Sequence, residues 1–138
     1  MAESEGQPQP LSREEKANLD IEISFLEGVR RRDPQFVEAL QALGDDYTRR
    51  GRFLEGLEVD ENLASLRPHN ALIQYNLACS YSLTGQVERA AEVIHRSIDL
   101  GYRDFNWLRR DPDLAALRKH PSYKSIRDRM RQLKIPMD

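Results

Sequence analysis

The chain matches itself at an offset of 34 residues. Leu43, Tyr47, Gly51, Val59 and Leu66 recur as Leu77, Tyr81, Gly85, Val93 and Leu100, and the same step joins Pro34 to Pro68. A period of this length, carried on residues at helical spacing, marks an array of helical repeats. One helical hairpin cannot bury its apolar face alone, so such units stack and share a continuous core. Arrays of this kind work by presenting a surface. That lowers the expectation of an enzyme before any single residue is inspected.

Local punctuation divides the chain. Residues 1–11, rich in Pro, Gln, Ser, Glu and Gly, read as a disordered tail. Ser12 and Glu15 then form a capping box, each side chain matched to the other's backbone N–H. The helix that follows carries Leu19, Ile23, Leu26 and Arg30 at helical spacing, with Phe25 and Val29 widening the apolar stripe. Pro34 ends it, because the residue before a proline is pushed out of the helical region. A helix over about 35–50 presents Phe36, Leu40, Leu43 and Tyr47, and Gly51 stops it. The next spans about 53–66 and is closed by Pro68. Asn70 caps a helix over about 71–83, with Ile73, Leu77, Ala78 and Tyr81 on its face. Gly85 and Gly101 bracket the last full-length repeat helix. Asp111-Pro112 opens a short helix as cap and first residue. Pro121 begins a final one carrying Tyr123, Ile126, Met130 and Leu133, and 135–138 read as frayed. No segment alternates with a period of two between hairpin turns, so the fold class is all-α.

Composition narrows the setting. Hydrophobic residues make up 39% and charged residues 32%, which suits a thin stack with much exposed surface better than a thick globule. The net charge of −2 implies no nucleic-acid partner. The charge is uneven, however: residues 1–27 are strongly acidic and 109–138 strongly basic. Cys79 is the single cysteine, so no intrachain disulfide forms. No apolar run approaches the roughly 20 residues that span a bilayer. The expected setting is the cytoplasm, away from membranes.

These residues resemble the tetratricopeptide repeat family. The first unit supplies Leu43-Gly44, Tyr47, Gly51, Gly56 and Pro68. The second supplies Leu77-Ala78, Tyr81, Gly85 and Ala90, with Tyr102 where the pattern places proline. The resemblance implies a right-handed α-solenoid of antiparallel helix hairpins with capping helices. It divides a single domain over 12–134 into a degenerate first unit (12–34), repeats at 36–69 and 70–103, and a closing segment (104–134). That last segment is similar to the one that closes short bacterial arrays. In such arrays the first helices of successive units line a concave groove. The positions that match are Glu38, Gln41, Asp45, Thr48 and Arg49, followed by Leu72, Tyr75, Asn76, Cys79 and Ser82. Tyr75, aromatic with a polar tip, is the expected anchor for a peptide or helix of a partner protein. Some family members clamp a terminal carboxylate. Asn76 matches one clamp position, but Gln41 and Asp45 replace the Lys and Asn expected there, and Asp45 repels a carboxylate.

Other chemistries find little footing. His69, His95 and His120 have no His or Cys partner at helical spacing, so no zinc site is expected. His69 reads as an exposed loop residue, and Cys79 as a packing or surface thiol without a base beside it. Asp45 and Asp46 read as a solvated helix face, and Asp111 as a helix cap rather than a cation ligand. No phosphate-cradling glycine motif is present. Catalytic residues, cofactors and metals are all expected to be none. Two alternatives remain. The oppositely charged ends suggest salt-dependent self-assembly into a homo-oligomer. Arg118, Lys119, Lys124, Arg127, Arg129, Arg131 and Lys134 suggest a nucleic acid or an acidic partner, though they do not share one face.

Overall fold

Helix boundaries in the computed structural model, which describes residues 9–134, follow the punctuation of the sequence. The long helices are α1 (Arg13–Arg32), α2 (Val37–Arg49), α3 (Phe53–Leu66), α4 (Ala71–Leu83) and α5 (Val87–Asp99). Short pieces follow: α6 (Phe105–Leu108), a 3₁₀ turn (Pro112–Leu114), α7 (Ala115–Arg118) and α8 (Tyr123–Leu133). The Ser12–Glu15 capping box forms in both directions, at 3.0 and 2.9 Å. Asn70 accepts the Ile73 N–H at 3.0 Å. Asn70→Ala should cost about 1 kcal/mol, the usual value of such a cap, measured as a lower urea midpoint.

The repeat is visible in bonds as well as letters. Tyr47 Oη donates to Glu27 and Tyr81 Oη donates to Glu61, each reaching back 20 residues to the preceding hairpin. Arg52 lies over the Tyr47 ring at 4.9 Å, and Arg89 over the Tyr81 ring at 5.3 Å. Both turns end on a glycine in the left-handed region, Gly51 at φ 84° and Gly85 at φ 82°, which a side chain would strain. At Gly44 the need is for space. A Cβ there would stand 3.0 Å from Asp60 Oδ1, so α2 and α3 approach as they do because nothing projects between them.

Each helix packs on the next, α1 on α2, α2 on α3, α3 on α4 and α4 on α5, giving a helical solenoid. Among the described residues there is no strand. Ile23, Leu40, Leu43, Tyr47, Val59, Leu63 and Ile73 form the core of the first half. The second half centres on Ala78, Ala90, Ile94 and Ile98, and the closing segment seals it with Leu108, Leu114, Leu117, Ile126 and Met130, all at 0–1% exposure.

Four expectations need correction. Phe25 does not widen the apolar stripe: it points away from the core and is 69% exposed. Phe36 is also exposed, just outside the first turn of α2. Asp46 is not on a solvated face; it is buried between α1 and α2. Pro121 lies in the turn before α8, which starts at Tyr123. The expected frayed segment, 135–138, and most of the expected tail fall outside the described residues.

Candidate functional site

A concave cavity of about 580 Å³ opens between α2, α4 and the closing segment. Seven of the ten expected groove residues line it: Asp45, Thr48 and Arg49 from α2, and Leu72, Tyr75, Asn76 and Cys79 from α4. Glu38, Gln41 and Ser82 do not. Ser82 is instead buried, and its Oγ has no hydrogen-bond partner.

Tyr75 is not a free anchor. It is 3% exposed, its ring stacks on Tyr102 at 4.3 Å and 10°, and its hydroxyl donates to Asp111 Oδ2 at 2.7 Å. The residue therefore floors the cavity. Tyr102, standing where the repeat pattern places proline, supplies the stacking ring. Cys79 lies beside it, buried, with its thiol toward Asp111 Oδ2 at 3.6 Å. Burial first, and the Asp111 and Asp113 carboxylates next, push this thiol well above its ordinary pKa, so it stays protonated.

The character of the site comes from residues that the repeat pattern does not mark. Asp60 enters from α3, Asp111 and Asp113 from the 3₁₀ turn, and Asp104 and Trp107 from around α6. Asp60 is buried and accepts the Ser80 hydroxyl at 2.5 Å. Burial, helped by the Asp45 and Asp113 carboxylates and opposed by that hydrogen bond, raises its pKa to about 7. Asp113 is pushed up to about 6 by burial, then by Asp111 and Asp45. Asp45 rises through desolvation. Five carboxyl groups, those of Asp45, Asp60, Asp104, Asp111 and Asp113, thus line one concave space, and Arg49 is the only Lys or Arg in its lining.

Asp60 left one trace in the sequence. It sits on the stripe Gly56, Asp60, Leu63, so a carboxylate was aimed at the buried side of its helix. The acids of the closing segment left none, because the fold over α4 brings them in.

Cys79 Sγ and carboxylate oxygens of Asp111 and Asp113 lie within 4.8 Å of one another, a spacing that can hold a metal ion. The donors are already engaged. Asp111 Oδ1 accepts the Asp113 N–H at 3.0 Å as a cap, and Oδ2 takes Tyr75 and Cys79. The thiol would also have to lose a proton that its surroundings hold on. The cluster works as an internal clasp between α4 and the closing segment.

Three of the seven Lys and Arg residues from Arg118 to Lys134 form hydrogen bonds among the described residues. Arg118 donates to the Leu108 carbonyl at 3.0 Å, Arg129 to Asp99 and to the His95 carbonyl, and Lys124 pairs with Asp128 at 3.1 Å.

The stack of hairpins has a solved counterpart. A structure titled MamA RS-1 ArsTM double mutant superposes with a TM-score of 0.57 at 19% identity, over 87% of this chain and 72% of that one. The chain is an all-α helical solenoid. At that identity the likeness speaks for the fold alone. Among curated proteins, a chloroplastic protein of Arabidopsis thaliana is 31% identical over 86 residues, or 60% of this chain. The match spans only 26% of that protein's length. No family model matches. Among the described residues, no helix is long and apolar enough to cross a membrane.

Proposed function

We propose that the protein is a non-catalytic interaction module that seats a basic side chain, carried on a peptide or helix of a partner protein, in its concave cavity. The observation that carries this is the convergence of Asp45, Asp60, Asp104 and Asp113 on a space of about 580 Å³ whose lining holds a single Lys or Arg, Arg49. A lysine or arginine entering there meets several carboxylates in a partly desolvated site, where charge-assisted hydrogen bonds are strong. Its aliphatic stem is served by Leu72, Leu83 and the half-exposed Trp107. The same field repels a terminal carboxylate, so a carboxylate clamp is not the mode of binding. A rigid solenoid keeps the ordering cost of binding low. The setting we propose is the cytoplasm, where a lone unpaired thiol is ordinary.

Trp107, the single tryptophan, lies in the lining and reports on occupancy. A Lys/Arg-containing peptide should change its fluorescence, and the same peptide with Gln in place of the basic residues should not. Asp45→Asn with Asp113→Asn should weaken binding by about tenfold or more, as expected when partly buried charge pairs are broken. Equal binding of the basic and neutral peptides, or an unchanged affinity in the double variant, removes the proposal.

A further inference from the structure

The two ends of the solenoid are finished differently. α7 and α8 cover α5 at one end. At the other, α1 turns a bare face to solvent, with Ile21 and Phe25 each 69% exposed. Scattered exposed apolar residues are ordinary. These two are not scattered. They sit in the series Glu14, Asn18, Ile21, Phe25, Gly28, Arg32, whose steps of four and three residues trace one stripe along a helix. The stripe lies opposite Leu19 and Ile23, the buried residues of α1. Of the described residues before α1, Gln9, Pro10 and Leu11 lie beside Arg49 and Gly51.

The positions of the stripe pair symmetrically about Ile23. Ile21 mirrors Phe25, Asn18 mirrors Gly28, and Glu14 mirrors Arg32. A second α1 laid antiparallel across it therefore sets Ile21 against the other Phe25 at the centre. Asn18 faces Gly28, where the missing side chain lets the helices approach. At each end Glu14 meets Arg32, both exposed and outside every ion pair among the described residues. Each of these charges stands nine residues from Ile23, about 13 Å along the axis, so the pairs match by symmetry. Antiparallel helix dipoles favour the same arrangement. We propose that the face of α1 carrying Ile21 and Phe25 is a two-fold interface with a second copy of this chain.

The contact is isologous, so it closes at two copies and leaves both concave cavities open, unlike the head-to-tail chain that oppositely charged ends would build. One helix pair is smaller than a standard interface of about 1,600 Å², which places the equilibrium in the micromolar range or weaker.

Sedimentation equilibrium of the full chain over about 1–500 µM tests it, a range suited to an interface of this size. The wild type should pass from monomer to dimer. Phe25→Glu should weaken association by about a hundredfold, because symmetry counts the lost burial twice. Glu14→Arg alone and Arg32→Glu alone should each weaken it several-fold, and the two together should restore it, since the swapped charges face each other again. Circular dichroism checks that each variant stays folded; the positions are exposed and far from the core. A monomer at every concentration overturns the proposal. So does a dimer indifferent to Phe25→Glu, or one that the double charge swap fails to restore relative to either single swap. A larger oligomer whose size grows with concentration overturns it in favour of head-to-tail stacking.

Discussion

Asp111→Leu is expected to destabilise the protein by about 3 kcal/mol or more, a large fraction of the 5–15 kcal/mol of a typical domain. The carboxylate is 4% exposed and serves three donors from two parts of the chain. Its Oδ1 caps the 3₁₀ turn through the Asp113 N–H, and its Oδ2 takes the Tyr75 hydroxyl and the Cys79 thiol of α4. Leucine fills the volume but accepts nothing, so all three donors lose their partner, and Tyr75 and Cys79 are buried. The loss is larger than that of any surface ion pair here, because an orphaned buried donor costs its full desolvation. Asp111→Asn separates the contributions. It keeps one acceptor for the cap and should recover roughly half of the loss. The measurement is the urea midpoint followed at Trp107 and, separately, by circular dichroism. If the clasp ties the closing segment to α4, the fluorescence transition in Asp111→Leu moves ahead of the helical one. Coincident, unshifted transitions would show that the clasp contributes little.

That clasp marks where sequence reading stops. Helix ends were legible because they rest on local chemistry: Ser12, Asn70, Gly51 and Gly85 act within a turn of themselves. The stacking order was legible because the period of 34 residues repeats the same apolar positions. Phe25 misled for a physical reason. Two residues from Ile23 on a helix is about 200°, so Phe25 stands on the far side of α1 from the buried Leu19 and Ile23 and cannot widen their stripe. Tyr75 misled in the opposite way. Its place on a first helix suggested the groove, and the groove does contain it, but the closing segment folds over α4 and takes both its ring and its hydroxyl. Seven of the ten groove positions line the cavity. The electrostatic content of the site comes from Asp60 and Asp113, which belong to elements that the repeat pattern assigns to other work.

Stability is expected to be greatest near pH 5 and to fall toward pH 8, the reverse of the usual loss in mild acid. Unfolded aspartates titrate near 3.9, whereas Asp60 and Asp46 are raised to about 7 and Asp113 to about 6 in the folded protein. Burial is the first cause in each case, and for Asp46 the adjoining Glu22 carboxyl adds to it. A raised acid binds a proton more tightly when folded. Its stabilisation is complete below about pH 4 and is lost as the pH rises through 6 to 7. Opposing groups are weaker. Glu15, Asp20, Glu55 and Asp128 are held below their ordinary values by hydrogen bonds, but all are well exposed, and their contribution fades only in stronger acid. His95, lowered by burial, favours the neutral side of pH 6.5, as a single partly exposed ring. Asp60→Asn tests the balance. Asparagine still accepts from Ser80 and carries no charge to bury, so it should raise the melting temperature at pH 8, leave it nearly unchanged at pH 5, and remove about 2–4 kcal/mol of the pH dependence at about 1.4 kcal/mol per pKa unit. A variant as pH-dependent as the wild type would mean that Asp60 stays ionised throughout. The same titration acts on the cavity with the opposite sign. Above pH 7 the carboxylates that weaken the fold are charged and attract a basic side chain, so a Lys/Arg peptide should bind more tightly at pH 8 than at pH 5.5, with protons released on binding near pH 6.5. Seating that cation returns stability where the empty cavity loses it, so the melting temperature at pH 8 should rise more with the peptide than it does at pH 5.5.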